Sequence, residues 1–310
     1  MYEYDLALGL PHTNHGGLAD HLLMMHAGYF QWASIASAIG TPLSALRTMG
    51  GGEVYATFYF IETRFPAGVP INSFKLDDRL RFAVFLRSFK NIAVEGRILF
   101  DHVARLQATL DTEALREGFA PSAGLGHPYI QFGNIFITPE AGNSALRVAP
   151  PANADFSGLP VLPNDENPYQ LTRRAQESGH LGVLDGSWTC VDKRQGFGMK
   201  YSIDLDRDTN GAGLVYFANY IVFMDSAERA AMATNAQGRF CEADVRGRTL
   251  MWRRVAYYGN LGVADSIFTS VSLFTKEGDE RGLGVRYAIH REGDGRLICR
   301  SEAIKVLPEA

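Results

Sequence analysis

The hexapeptide Thr13-Asn14-His15-Gly16-Gly17-Leu18 recurs in the second half of the chain as Thr209-Asn210-Gly211-Ala212-Gly213-Leu214. Both copies keep Thr, Asn, Gly and Leu at the same spacing, and each precedes an apolar helical stretch and then several strand-like runs. A repeated motif with the same downstream order indicates two copies of one supersecondary unit. Thr and Asn are also typical of helix starts, where free backbone N–H groups can hold an oxyanion. The repeat therefore predicts two equivalent loop-to-helix corners.

Bulk composition narrows the functional classes. The 310 residues are 46% apolar and 21% charged, with a formal net charge of −4, and this length suits two domains of about 150 residues. Without a long run of one charge sign, neither nucleic acid nor an anionic membrane is an expected partner. No apolar run reaches the roughly 18 residues of a membrane span, and the N-terminal MYEYD does not resemble a signal peptide. We expect a cytoplasmic protein.

The sequence contains few of the motifs that hold cofactors. Its three cysteines, Cys190, Cys241 and Cys299, form no CxxC pair, which argues against a disulfide framework and a thiolate zinc site. No histidine pair has metal-ligand spacing, and no GxSxG elbow of a serine hydrolase is present. We expect neither a metal nor another cofactor.

The sequence predicts that the first unit consists of one helix followed by strands. Apolar residues recur every three or four positions over 18–39, and Gly40-Thr41-Pro42 ends the helix. Aromatic and β-branched residues then predict four strands, and the polar segment 103–118 fits a short helix or an excursion. The predicted strands cover 53–65, 79–90, 93–102 and 129–138.

The second unit follows a linker rich in Pro, Asn, Asp and Gly, which we place at 151–168. It is predicted to contain a helix over 215–234 and further strands. These strands cover 187–192, 198–206, 248–258, 266–276, 284–290 and 296–306. The predicted domains are therefore 1–150 and 169–310.

Each half combines one long helix with about four antiparallel strands, which belongs to the α+β class. Such a helix must bury its apolar stripe on one face of the sheet. A sheet that wraps around a central helix is the hot-dog architecture, so we predict a tandem (double) hot-dog fold.

Both corners resemble known families. The stretch 208–220 with 223–229 resembles the corner and central helix of hot-dog thioesterases, which commonly carry Asp-x-x-Gly-x-Val-x-x-x-x-Tyr. The first corner, with Gly28-Tyr-Phe-Gln-Trp32 and Gly52-Glu-Val-Tyr-Ala-Thr-Phe58, resembles the double-hot-dog bifunctional acyltransferase/decarboxylase of leinamycin biosynthesis and its relatives in polyketide gene clusters. This second resemblance covers nearly the whole chain.

The resemblance implies an activity. A malonyl- or methylmalonyl-CoA thioester would be decarboxylated, and the acyl group would pass to an acyl carrier protein in polyketide biosynthesis. Coenzyme A would take part only as a portion of the substrate. The resemblance also implies a catalytic tyrosine on the strand after the first helix, and Tyr55 matches it. Tyr55 could act as a nucleophile or as a neutral proton donor, and the sequence leaves both open. A homodimer is expected by analogy.

In the same interpretation, the first corner holds the thioester oxygen through backbone N–H groups and a side-chain amide. The residues of this predicted oxyanion and substrate site are Thr13, Asn14, His15, Gly16, Gly17 and Leu18. A purely structural interpretation stands beside it, in which Thr13 and Asn14 only cap the helix.

Four secondary candidates are His12, Trp32, Asp208 and Asn210. Asp208 matches the acid that is catalytic near this corner in hot-dog thioesterases, although a capping role explains it as well. Whether the second unit is chemically active stays open.

Two rival functions remain. A thioesterase or dehydratase on the same fold, with Asp208 or a histidine as base, would yield a free acid or a double bond without loss of CO₂. A module that binds acyl groups or a carrier protein would show no turnover. The fold does not decide among them, and the sequence identifies neither the acyl group nor the natural carrier protein.

Overall fold

The computed structural model describes residues 1–14, 17–110, 119, 126–139, 146–191, 198–211, 213–234, 240–262 and 265–307. It shows two halves built in a similar order, each with a long helix against antiparallel strands. This is the α+β arrangement that the sequence predicts. Within the described residues, no helix is both long and apolar enough to cross a membrane.

The N-terminal half begins with a strand that the sequence did not reveal. Its elements are β1 (Tyr2–Ala7), β2 (Thr13–Asn14), β3 (Gly17–Leu18), α1 (Asp20–Ala38), β4 (Tyr55–Arg64), β5 (Arg79–Phe89), β6 (Ala93–His102), α2 (Val103–Leu110), β7 (Tyr129–Pro139) and β8 (Leu146–Val148). Buried side chains recur every three or four residues along α1, as in Leu23, Ala27 and Phe30. The helix therefore presents an apolar face to the sheet.

The C-terminal half repeats the long helix and adds short ones. Its elements are α3 (Tyr169–Ser178), β9 (Trp188–Cys190), β10 (Gly198–Ser202), α4 (Leu205–Asp208), α5 (Asn219–Ala233), α6 (Glu242–Gly247), β11 (Thr249–Tyr257), β12 (Ser266–Lys276), β13 (Asp279–Arg291) and β14 (Leu297–Val306). The sequence did not predict α3, α4 or α6.

The two halves share one sheet. Its strand order is β1-β5-β6-β7-β4-β11-β14-β13-β12-β10, with β8 beside β7 and β9 beside β12. The halves meet where β4 pairs with β11 in antiparallel register, with Trp252 opposite Arg64 and Ala256 opposite Phe60. Because α1 and α5 also touch, the apolar core runs through both halves without a break.

A network of ion pairs links the two halves next to their long helices. Arg253 on β11 is only 2% exposed and binds Asp20 at the start of α1 and Asp225 on α5. Lys305 on β14 binds Asp225 at 3.0 Å and Glu228 at 2.6 Å. The two carboxylates of α5 are thus matched by cations from the sheet.

The segment predicted as a linker follows the sheet. The N–H of Ser88 donates to the carbonyl of Pro160, and the N–H of Leu162 donates to that of Ser88. α3 comes next and contacts both β4 and β11, so it crosses the junction of the two halves. The predicted domain boundaries at 150 and 169 stay predictions.

Helix α5 begins at Asn219 rather than at 215. Thr209 and Val215 form a β-bridge, and the N–H of Tyr216 donates to the Asp208 carbonyl. These contacts hold the second corner in a non-helical conformation until the helix starts.

Candidate active site

A cavity of about 680 Å³ lies at the junction of the two halves. It is lined by the start of β4, by the second corner and by the segment after β11. Its polar lining includes Glu53, Tyr55, Asn210, Gly211, Asn260 and Arg296. Both halves therefore contribute side chains to one cleft, which is a common place for a small-molecule site.

The described residues of the first corner, Thr13, Asn14, Gly17 and Leu18, do not line this cavity. The N–H of Leu18 donates to the carbonyl of Phe74 at 3.0 Å. A Cβ at Gly17 would lie 2.7 Å from that same carbonyl oxygen, so residues 72–74 close over the corner. The Leu18 amide already has a partner and does not fit the oxyanion role that we expected. Thr13 and Asn14 pair with Leu18 and Gly17 as β2 and β3 and do not line the cavity.

His12, the secondary candidate beside the first corner, also lies outside the cavity. The Nδ1 atom of His12 accepts from the N–H of Gly9 at 2.8 Å, and its ring lies 4.9 Å from that of His26. His12 therefore stabilises its own loop and does not line the cavity. His15 and Gly16 lie outside the described residues.

The second corner does face the cavity. Asn210 and Gly211 line it, and a Cβ at Gly211 would meet nothing within 4 Å. The Asn210 side-chain oxygen accepts from the Leu214 N–H at 3.2 Å, and the Asn210 carbonyl accepts from the Gly213 N–H at 2.9 Å. The turn is therefore held in place while its backbone at Gly211 stays open.

Asp208 has structural partners. Its buried carboxylate accepts from the Tyr201 hydroxyl at 2.7 Å and from the Asp204 N–H at 2.9 Å, and it does not line the cavity. These contacts give Asp208 a structural role at the start of α4, where it binds the N–H of Asp204. It does not cap α5, which follows Ala218 and has no side-chain cap.

Tyr55 lines the cavity, and its hydroxyl donates to Oε2 of Glu53 at 2.6 Å. That hydrogen bond, with partial burial and the charge of Glu53, raises the pKa of the Tyr55 phenol above its usual value. A phenolate near neutral pH is therefore disfavoured. Of the two roles left open, the neutral hydrogen-bond donor fits this geometry better than the nucleophile.

Glu53 is a residue that sequence reasoning missed. It is the only carboxylate among the described residues that line the cavity. The signal was its spacing, because residues two apart in an extended segment point to the same side, and Glu53 stands two positions before Tyr55. Glu53 and Tyr55 together form a carboxylate–phenol pair.

Trp32 belongs to an apolar wall of the same cavity. Its indole N–H donates to the carbonyl of Ala56 at 3.0 Å, and its ring lies 5.0 Å from that of Phe58. Phe217 lines the same wall, 4.2 Å from Phe58 between ring centroids. Trp32 therefore shapes the cavity and contributes no reactive group.

Structural comparison places this architecture among solved structures. An acyl-ACP thioesterase from Bacteroides thetaiotaomicron matches with a TM-score of 0.58 and 11% identity, over 98% of this chain and 97% of that one. A 12:0-ACP thioesterase from Umbellularia californica matches with a TM-score of 0.58 and 9% identity, over 99% of this chain and 97% of that one. The fold is a double hot dog. No protein-family model and no curated protein matches the chain.

The predicted double hot dog is thus confirmed, and the neighbours that share it are thioesterases. Identities this low establish the fold alone. None of these matches bears on the leinamycin-type resemblance, which stays a hypothesis.

The two corners of the double hot dog differ in their surroundings even though their sequences repeat. In the first, residues 72–74 cover Gly17 and Leu18; in the second, Asn210 and Gly211 face the cavity. Among the described residues, no group of three or more His, Cys, Asp and Glu side chains is arranged to hold a metal ion.

Proposed function

We propose that this chain hydrolyses an acyl thioester in the cavity between its two hot dogs. The observation that supports this is the Glu53–Tyr55 pair, a carboxylate and a phenol joined at 2.6 Å in the cavity wall. The thioesterases that share the fold support the same reaction class. Since Glu53 is the only carboxylate among the described lining residues, we assign the role of general base to it.

In the proposed reaction, Glu53 takes a proton from a water molecule while the water oxygen attacks the carbonyl carbon of the thioester. Negative charge gathers on the carbonyl oxygen of the tetrahedral intermediate. The C–S bond then breaks, the carboxylic acid leaves, and the departing sulfur receives the proton from Glu53. Tyr55, kept neutral by its raised pKa, orients the carboxylate through its hydrogen bond.

The second corner would stabilise the oxyanion. Gly211 exposes its backbone to the cavity without a neighbouring atom where a Cβ would stand. We assign its N–H as the donor to the developing negative charge. One preorganised donor of this kind lowers the barrier by about 3 kcal/mol.

The thioester carrier is proposed to be coenzyme A or an acyl carrier protein, which share a phosphopantetheine arm. The acyl-ACP neighbours support this choice. Arg47 and Arg296 line the cavity and carry the positive charge that suits a phosphate group. A homodimer stays a prediction.

One observation favours a second candidate, the decarboxylation and acyl transfer implied by the family resemblance. Tyr55, which matches the catalytic tyrosine of that family, lines the cavity. In this reaction the bond to the carboxylate of a malonyl thioester breaks, CO₂ leaves, and its electron pair forms an enolate. Neutral Tyr55 would donate a hydrogen bond to the enolate oxygen, and the enolate carbon would take a proton from water. The carrier thiol would then attack the thioester carbonyl, the bond to the coenzyme A sulfur would break, and coenzyme A would leave as the free thiol.

Product analysis separates the two candidates. The purified chain is incubated with acetyl-, butyryl-, malonyl- and methylmalonyl-CoA, with and without an acyl carrier protein, and followed by thiol release and mass spectrometry. Hydrolysis gives free acid and coenzyme A with the carboxyl group retained. Loss of 44 Da as CO₂ together with an acylated carrier indicates the second candidate. Absence of every product would overturn both and leave an acyl-binding module.

A further inference from the structure

Phe217 belongs to the C-terminal half but packs into the N-terminal half. It lies between the second corner and α5, and its side chain is buried. Its ring centroid is 4.2 Å from that of Phe58 on β4 and 5.8 Å from that of Trp32 on α1. Since these three aromatic rings line the cavity and touch one another, they form a closed wall.

A glycine makes this position possible. A Cβ at Gly28 of α1 would overlap the Phe217 ring, lying 2.7 Å from its Cε1 atom. The ring is therefore seated against the helix backbone. Behind it stands Phe132, edge-on at 6.1 Å between centroids, fully buried and outside the cavity lining.

We infer that Phe217 sets the depth of the acyl pocket and limits the substrate to a short acyl chain. This inference rests on the proposed thioester hydrolysis. A longer chain would have to enter the N-terminal core at the place that Phe217 fills, and a packed core leaves no space for extra methylene groups. Elsewhere the lining combines the charged Glu53, Arg47 and Arg296, next to which an alkyl chain gains little, with apolar residues such as Leu43, Ile135 and Leu146. The limit that we assign to Phe217 is therefore the one on the side of the N-terminal core.

Two substitutions are expected to change the depth of the acyl pocket in opposite directions. Phe217→Ala opens the wall toward Phe132, so the variant accepts longer chains. Each methylene that becomes buried raises kcat/KM by about fourfold. Gly28→Ala pushes the Phe217 ring toward the cavity, so the variant prefers still shorter chains. Phe217→Leu provides a milder opening in case the alanine variant does not fold.

The test measures kcat/KM for a series of straight-chain acyl-CoA thioesters from two to twelve carbons. In parallel, dissociation constants are measured for the corresponding acyl-CoA thioether analogues, which cannot be hydrolysed. Phe82→Leu is the matched control, because Phe82 is a fully buried ring of the same core outside the cavity lining. The wild type and the control are expected to favour short chains, and the optimum of Phe217→Ala is expected to move by two carbons or more.

The outcomes distinguish the inference from the function on which it rests. Hydrolysis with the same chain-length profile in wild type and Phe217 variants would overturn the inference and leave the proposed function intact. Absence of hydrolysis throughout would overturn the proposed function. In that case the thioether dissociation constants still decide, since an unchanged chain-length preference in Phe217→Leu and Phe217→Ala rejects the role of Phe217.

Discussion

Replacing Arg253 with methionine should strongly destabilise the chain, because its buried guanidinium binds two partly buried carboxylates, those of Asp20 and Asp225. Asp225 keeps Lys305 at 3.0 Å. Asp20 loses the side chain that binds it, and burial already raises its pKa above the usual value. Removing one partner of a buried ion pair costs about 3–5 kcal/mol, a large part of the 5–15 kcal/mol that stabilises a typical domain.

The assay is urea unfolding followed by tryptophan fluorescence, with Arg246→Met as the control. Arg246 pairs with Glu242 on the surface, with both side chains more than 70% exposed, so its loss should cost less than 1 kcal/mol. Asp20→Asn combined with Arg253→Met should recover part of the stability, because no charge is left uncompensated at Asp20. A loss for Arg253→Met no larger than that of the surface control would refute this reasoning.

The pH dependence of the same variant has a definite sign. A carboxyl group whose pKa is higher in the folded state binds more protons there, so the folded form gains stability as the pH falls. In Arg253→Met the pKa of Asp20 rises further, since its cation is gone. The stability deficit relative to wild type should therefore shrink between pH 7 and pH 5, and a deficit that grows over this range would contradict the account.

The remaining predictions concern the two corners and the phenol. Gly17→Ala should lower the free energy of unfolding by about 1–3 kcal/mol, because φ is 109° and the added Cβ would meet the Phe74 carbonyl. Gly211→Ala should leave the free energy of unfolding unchanged in the same denaturant titration, because a Cβ at Gly211 would have no neighbouring atom within 4 Å. Tyr55→Phe should reduce kcat by no more than about tenfold if the phenol only orients Glu53, and a complete loss of turnover in a folded variant would instead give the hydroxyl a direct part in the chemistry.

Much of the fold was predictable because its signals are local. Apolar spacing marked α1, and alternating aromatic and β-branched residues marked β4 and β12, whose observed bounds fall within two residues of those expected. The helix α3 contains few apolar residues, so its polar sequence resembles a continuation of the linker. Strand β1 (YEYDLA) was missed although its apolar and acidic residues alternate, which is a local strand signal.

The candidate site was only partly predictable, for a physical reason. The two corners have nearly the same sequence, and the difference between them lies in the segment 72–74 that covers one of them. Local sequence carries no information about that tertiary contact. Tyr55 was found through the family resemblance, and Glu53 could have been found from its spacing to Tyr55. Asn260 lines the cavity after β11 and gave no local signal.

The most direct test of the proposed function is thiol release by Glu53→Gln. A short acyl-CoA is supplied at saturating and subsaturating concentrations, and Glu177→Gln, an exposed carboxylate on α3, serves as the matched control. Loss of a general base reduces turnover by about 10²–10⁴-fold. We predict a decrease in kcat of at least 100-fold for Glu53→Gln, with unchanged unfolding behaviour and full activity in the control. Wild-type turnover in a folded Glu53→Gln protein would contradict the assignment of the reaction to this cavity wall.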